Sequence, residues 1–165
     1  MDYANRPMLR AEASSAVVTM FADFAAQTSL AMQSQSAYRS YASQQSVYAG
    51  WVEQLGAADA DLTSARPGFS EHQTGLAIDV SPLPATCVLD QCFAQTPQGE
   101  WLAEHAWEYG FIVRYPEGKT QITGYEYEPW HLRYVWSELA AQMHSTGVST
   151  LEEFFGLPAA LDYVR

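Results

Sequence analysis

The sequence predicts an α+β fold in a single domain over residues 1–165, with helices packed on a small, mainly antiparallel sheet. Three observations lead there. The chain has 165 residues, about one domain's length, and 48% are apolar, with 5 Trp, 10 Tyr and 7 Phe. That is enough for one packed core, and it excludes disordered and collagen-like chains. Segments with apolar residues at three- and four-residue spacing intermingle with short apolar or alternating runs. No internal repeat or linker divides the chain.

Residues 10–27 read as an amphipathic helix, with Val17, Met20, Phe21 and Phe24 on one side. Residues 30–37 form a short semi-alternating strand leading into Tyr38-Arg39-Ser40. A second helix over 41–55 has Val47, Trp51, Val52 and Leu55 on its apolar side and ends at Gly56. A polar loop follows, punctuated by Arg66-Pro67-Gly68. Residues 74–80 read as a buried strand, and 81–97, with three prolines and both cysteines, as a loop. Residues 98–109 form a helix stopped by Gly110, and 111–115 a strand. Strands over 121–127 and 130–135, with Pro129 between them, complete the sheet. Helices over 137–146 and 150–155 close the chain.

The charge is lopsided: 8 basic against 19 acidic residues leave −11, and Lys119 is the only lysine. Such a surface repels phosphate backbones and anionic lipid, so nucleic acid and membrane surfaces are poor partners. Solubility alone would also account for it. No apolar run approaches the roughly 18 to 20 residues that span a bilayer. Cys87 and Cys92 have no second pair with which to build a four-ligand structural zinc site. They read as a local disulfide, which would indicate an oxidising compartment, or as two free thiols in a reducing cell. The chain starts MDYANRPMLR, without a charged segment followed by an apolar one. Either the protein stays inside the cell or this is a mature form whose export signal has been removed.

Of the four histidines, His105 and His144 sit among polar neighbours in amphipathic helices and read as surface residues. His72 and His131 keep other company, in Ser70-Glu71-His72-Gln73-Thr74-Gly75-Leu76-Ala77-Ile78-Asp79 and Glu128-Pro129-Trp130-His131-Leu132-Arg133-Tyr134. A catalytic zinc takes three protein ligands and leaves a fourth position open. His72, Asp79 and His131 meet that count if the sheet brings the two segments together. Asp79 would end an otherwise apolar strand, where an unpaired carboxylate is expensive, and Gly75 lets the backbone bend between His72 and Asp79. Glu128 could then serve as proton carrier beside the metal. A regular strand would put Glu128 and His131 on opposite faces, so a bend or bulge is required between them. From spacing alone the same residues read as well as a buried histidine with two surface carboxylates, and the HExxH zinc signature is absent.

Ser-Glu-His-Gln-Thr-Gly-Leu-Ala-Ile-Asp resembles the S-x-H-x-x-G-x-A-x-D signature of the VanY-type zinc D-alanyl-D-alanine carboxypeptidases, and Glu-Pro-Trp-His their E-x-W-H signature. SAYRSYASQQ is similar to their S-x-Y-R-S-x-x-x-Q segment, with Ala37 where glycine is common. The blocks fall in the family's order between residues 36 and 135. The resemblance implies the Hedgehog/D,D-peptidase-like fold, with Zn2+ held by His72, Asp79 and His131 and Glu128 as general base and acid. It implies that Arg39 polarises the scissile carbonyl, and that Gln44 and Ser70 hold the substrate's C-terminal end. Ser70 alone would also read as a cap or turn hydroxyl, and Trp130 as core more than substrate wall. The implied reaction is removal of the terminal D-Ala from peptidoglycan stem pentapeptides outside the cytoplasmic membrane, in keeping with a Cys87–Cys92 bridge. Removal of D-Ala from tetrapeptides by an L,D-carboxypeptidase is the alternative, and a cell-wall-binding module without catalysis a more remote one. Nothing in the sequence fixes the oligomeric state.

Overall fold

The computed structural model describes residues 8–163, so most of the N-terminal stretch read for an export signal lies outside the described residues. Helix α1 (Ala11–Thr28) buries Ala13, Val17, Met20 and Phe24, the three- and four-residue spacing seen in the sequence. Strand β1 (Ala31–Ser36) follows, then α2 (Tyr41–Leu55), whose start is capped by the Ser40 hydroxyl accepting from the Ser43 N–H at 3.2 Å. Helix α3 (Ala57–Thr63), β2 (Ala77–Leu83), α4 (Pro97–His105) and β3 (Phe111–Tyr115) come next. The chain continues through α5 (Thr120–Thr123), β4 (Glu128–Tyr134), α6 (Ser137–Thr146) and α7 (Leu151–Phe155). The α+β expectation holds.

The four strands form one antiparallel sheet in the order β1-β2-β4-β3. Side chains alternate across a strand, and here the alternation sorts core from site. Ile78 and Val80 of β2, with Leu132 and Tyr134 of β4, join Met20, Phe24, Phe93, Leu102 and Phe111 in the main core. Asp79, between Ile78 and Val80, and His131, next to Leu132, face a cleft on the opposite side. A second cluster of Ile112, Val135, Ala140 and Met143 seats α6.

Several elements depart from the sequence reading. Residues 57–63, expected as loop, are helical. Residues 121–127, expected as strand, begin instead with the helical turn α5, closed where the Gly124 N–H reaches Thr120 O at 2.9 Å. Gly124 has φ of 79°, and a Cβ there would lie 2.2 Å from Ala160 O, so only glycine fits. The Glu126 N–H then bonds Leu62 O at 3.0 Å, outside the sheet. Strand β2 runs on through Pro82 to Leu83, so Asp79 lies inside the strand and not at its end, and the expected loop over 81–97 also contains a 3-10 turn, Gln91–Gln95. The helix expected over 98–109 turns 3-10 from Ala106. Only Gln44 of α2 is buried: Val47 and Trp51 line the cleft, and Leu55 is exposed. Cys87 and Cys92 form a disulfide.

Candidate active site

His72 sits on a 3-10 turn, Glu71–Thr74, closed by Gly75 with φ of 70°. A Cβ on Gly75 would press on the Arg10 backbone at 3.3 Å, so glycine allows both the turn and the close approach of α1's lead-in. The turn is tied to the segment after β1 from both sides. The His72 ring Nδ1 donates to Ala37 O at 2.6 Å, and the Arg39 N–H bonds His72 O at 3.2 Å. A neutral imidazole with its proton on Nδ1 has its Nε2 lone pair free, and that atom lies 3.3 Å from Asp79 Oδ2.

Asp79 and His131 are direct partners across β2 and β4, which puts them on one face. His131 Nδ1 lies 3.2 Å from Asp79 Oδ1. The required bulge is present. Val113 pairs with Leu132 but Tyr115 with Glu128, so β4 carries two extra residues between these pairs. Pro129, which cannot donate to a ladder, sits in that irregular stretch. The bulge brings Glu128 to the His131 face, with its Oε2 3.5 Å from His131 Nδ1.

These groups are buried: His72, Asp79 and His131 are each at most 5% exposed and Glu128 8%. Asp79 and Glu128 are therefore not surface carboxylates. Burial opposes the ionised form of Asp79, yet its neighbours His72 and His131 hold it well below the usual carboxylate range. Glu128 goes the other way. Burial pushes it up to about 8, with the charge of His131 opposing and that of Asp79 adding.

One nitrogen from each histidine and an oxygen of Asp79 all lie within 4.8 Å of one another, so the three residues could hold a metal ion. Around a tetrahedral ion with bonds of about 2.0 to 2.1 Å, neighbouring donors stand about 3.3 Å apart; His72 Nε2 lies 3.3 Å from Asp79 Oδ2 and His131 Nδ1 3.2 Å from Oδ1, so the histidines approach the two oxygens of one carboxylate. Asp79 Oδ1 is buried with no hydrogen-bond partner, an orphaned acceptor that a cation would satisfy.

The site floors a cleft of about 650 Å³. Arg39 lines it, with Nη1 donating to Gln44 Oε1 at 3.0 Å and Nη2 3.7 Å from Asp79 Oδ2. Ser70 lines it too, 7% exposed. Gln44 does not reach the cleft. It is fully buried behind Arg39, and its Nε2 donates to Ala65 O at 2.6 Å and Ser64 Oγ at 3.1 Å. Trp130 is half-buried, packed against the core and lining the cleft at once. His105 is also half-buried, bonded to Glu108 at 2.8 Å, whereas His144 is exposed and stacked on Trp107.

Sequence reasoning missed Glu71 and the arginines around it. Glu71 Oε1 accepts from Arg114 Nε at 2.9 Å and lies 2.9 Å from Arg133 Nη1. Arg114 is in turn held by Glu152 of α7 at 2.6 and 3.1 Å. Ser36 was missed as well, and its Oγ donates to Asp79 Oδ2 at 2.5 Å.

Residues 6–137 match the model of the family described as VanY: D-alanyl-D-alanine carboxypeptidase. The chain belongs to the VanY family. It is 44% identical over 147 residues to YodJ of Bacillus subtilis (strain 168), covering 89% of this chain and 53% of that protein. To a D-alanyl-D-alanine carboxypeptidase of Enterococcus faecium it is 42% identical over 98 residues, 59% of this chain and 28% of that protein. The chain thus spans about half or less of these two relatives. Among solved structures, the LdcB LD-carboxypeptidase superposes with a TM-score of 0.80 at 43% identity, covering 90% of this chain and 68% of that one. A VanY D,D-pentapeptidase variant from a VanB-type resistance cassette, in complex with Zn(II), gives 0.75 at 32% identity, covering 89% and 83%.

Proposed function

We propose that the protein is a zinc-dependent D,D-carboxypeptidase that removes the C-terminal D-Ala from peptidoglycan stem pentapeptides. In this reading residues 1–165 form one zinc carboxypeptidase domain acting outside the cytoplasmic membrane. The observation that carries it is the geometry at the cleft floor: the buried Glu128 carboxyl, its Oε2 3.5 Å from His131 Nδ1, beside three converging metal donors. A carboxylate in that place is within reach to carry a proton for the reacting groups.

His72 Nε2, Asp79 and His131 Nδ1 would hold the zinc. When bound, the ion supplies Lewis acidity, polarising a carbonyl and making water acidic enough to ionise near neutral pH. Glu128 takes the proton of the attacking water and passes it to the departing D-Ala nitrogen. The Arg39 guanidinium donates to the scissile carbonyl oxygen as negative charge develops there, in a largely buried setting where a fixed charge acts strongly. Gln44 acts through Arg39, holding the guanidinium in place. The Ser70 hydroxyl meets the terminal carboxylate, a group that no internal peptide bond offers, so one residue is trimmed. The Cys87–Cys92 disulfide supports an oxidising, extracytoplasmic setting. Among the described residues no helix is long and apolar enough to cross a membrane.

A second reading, an L,D-carboxypeptidase that takes D-Ala from tetrapeptide stems, is favoured by the higher identity to LdcB, 43%, than to the Zn(II)-bound VanY structure, 32%. D-alanine release from synthetic penta- and tetrapeptide stems, followed by mass spectrometry with and without a chelator, separates them. Chelator-sensitive loss of one residue from the pentapeptide is the expected result. Loss from the tetrapeptide alone transfers the enzyme to the second reading. No release from either would leave a wall-binding module.

A further inference from the structure

The two histidines of the site face it through different nitrogens, and each turns its other nitrogen to a protein oxygen. His72 uses Nε2 toward Asp79 and gives Nδ1 to the Ala37 carbonyl. His131 uses Nδ1 toward Asp79, and its Nε2 faces Glu71 Oε2 at 3.5 Å. Both of those facing atoms are buried and without a hydrogen-bond partner, so each is the group the other lacks. Glu71 cannot turn away. Both arginines take the same oxygen, Oε1, with Arg114 Nε and Arg133 Nη1 each at 2.9 Å, which leaves Oε2 aimed at the imidazole. Arg114 is fixed from behind by Glu152 at 2.6 Å. A charged acceptor on Nε2–H would hold the ring in the tautomer whose lone pair is on Nδ1 and raise its basicity as a ligand.

We propose that Glu71 is a positioning residue for the metal site. Its Oε2 accepts the Nε2–H of His131 and presents Nδ1 to the ion, while Arg114 and Arg133 keep the carboxylate in place. The proposal rests on the reading of His72, Asp79 and His131 as metal ligands. It adds a charge relation within this chain that joins α7, through Glu152 and Arg114, to the metal position.

The test titrates zinc alone into the 165-residue chain against a chromogenic chelator, for wild type, Glu71→Ala and Glu71→Gln, with near-UV circular dichroism to establish that each is folded. Glu71→Ala is expected to bind zinc about 10- to 100-fold more weakly. Glu71→Gln keeps an oxygen acceptor without the charge and should fall between that value and wild type. In 15N NMR of the zinc-loaded wild type, an Nε2–H proton of an Nδ1-coordinated histidine should persist in water, and Glu71→Ala should lose it to exchange. A folded Glu71→Ala protein that binds zinc within twofold of wild type overturns the proposal, even if its metal-free form melts earlier. Where Glu71→Ala does not fold, the same result from Glu71→Gln overturns it. Unchanged binding in the variants leaves the metal site itself standing. A wild-type chain that binds no zinc removes the site and this proposal together.

Discussion

On the Nε2 side of His131 a half-buried glutamate is held between two arginines. On the Nδ1 side a buried glutamate forms no salt bridge with an arginine or lysine among the described residues. Glu71 and Glu128 thus share residue type and a histidine, yet their proton affinities diverge. Burial would raise both. For Glu71 the adjacent His131 and the charges of Arg114 and Arg133 win, and the carboxyl is held down to about 2. For Glu128 burial wins, and it rises to about 8. The placement of cations decides which carboxylate stays charged and which can exchange a proton near neutrality.

The largest effect that would break this contrast is on turnover. Glu128→Gln is expected to lower kcat by about 10²- to 10⁴-fold, with zinc content unchanged by metal analysis. A variant that keeps its rate would remove the proton-carrying role, and one that loses its zinc would make Glu128 a ligand.

Next comes the pH dependence of the metal-free chain. Burial disfavours the His131 imidazolium, but the adjacent Asp79 and Glu71 carboxylates and the charge of Glu128 raise it from 6.5 to about 10. A raised histidine contributes stability that is full below its unfolded value and is lost as pH rises through about 10. Glu128 acts in the same direction, since a carboxyl raised from 4.5 to about 8 penalises the folded state as pH climbs across that interval. The metal-free Tm should therefore fall between pH 6.5 and 10 in thermal unfolding. With zinc bound the fall should be much smaller, because the ion takes the place of the proton. A metal-free Tm that rises over this range would contradict the assignment of charge.

Arg114→Met sharpens the other flank. It leaves Glu71 with Arg133 alone and Glu152 with no arginine, and should lower stability by about 3 kcal/mol in urea unfolding. An unchanged midpoint would mean that Arg133 suffices. The smallest effect is expected of Ser36→Ala, which removes a hydroxyl donor from Asp79 Oδ2. It should weaken zinc binding about fivefold, near 1 kcal/mol, in a chelator competition, and an unchanged constant would make that hydrogen bond incidental to the ion.

What was legible in the sequence follows the range of the interactions. Helical spacing found α1, and the run of apolar residues found β2, because both patterns are local. His72, Asp79 and His131 stood out through motif spacing, and strand parity alone demanded the bulge before His131. The α2 stripe misled, because Val47 and Trp51 line a cleft and not a core. The TQIT segment misled because Gly124 and the Ala160 backbone favour a helical turn over a strand. Glu71 was in plain view beside His72, but its role depends on Arg114, 43 residues away, and through it on Glu152, 38 residues further along. No local pattern encodes such a pairing. The scarcity of basic residues was the available signal: with 8 in the chain, each buried one implies a carboxylate partner.

The division of roles across His131 is tested most directly by a zinc-loaded crystal structure with anomalous diffraction at the zinc edge. The account predicts one ion bound by His72 Nε2, Asp79 and His131 Nδ1, with Glu71 within hydrogen-bond distance of His131 Nε2 and Glu128 beside the ion without ligating it. An ion held by His131 Nε2 and Glu71, or one that takes Glu128 as a ligand, would contradict it.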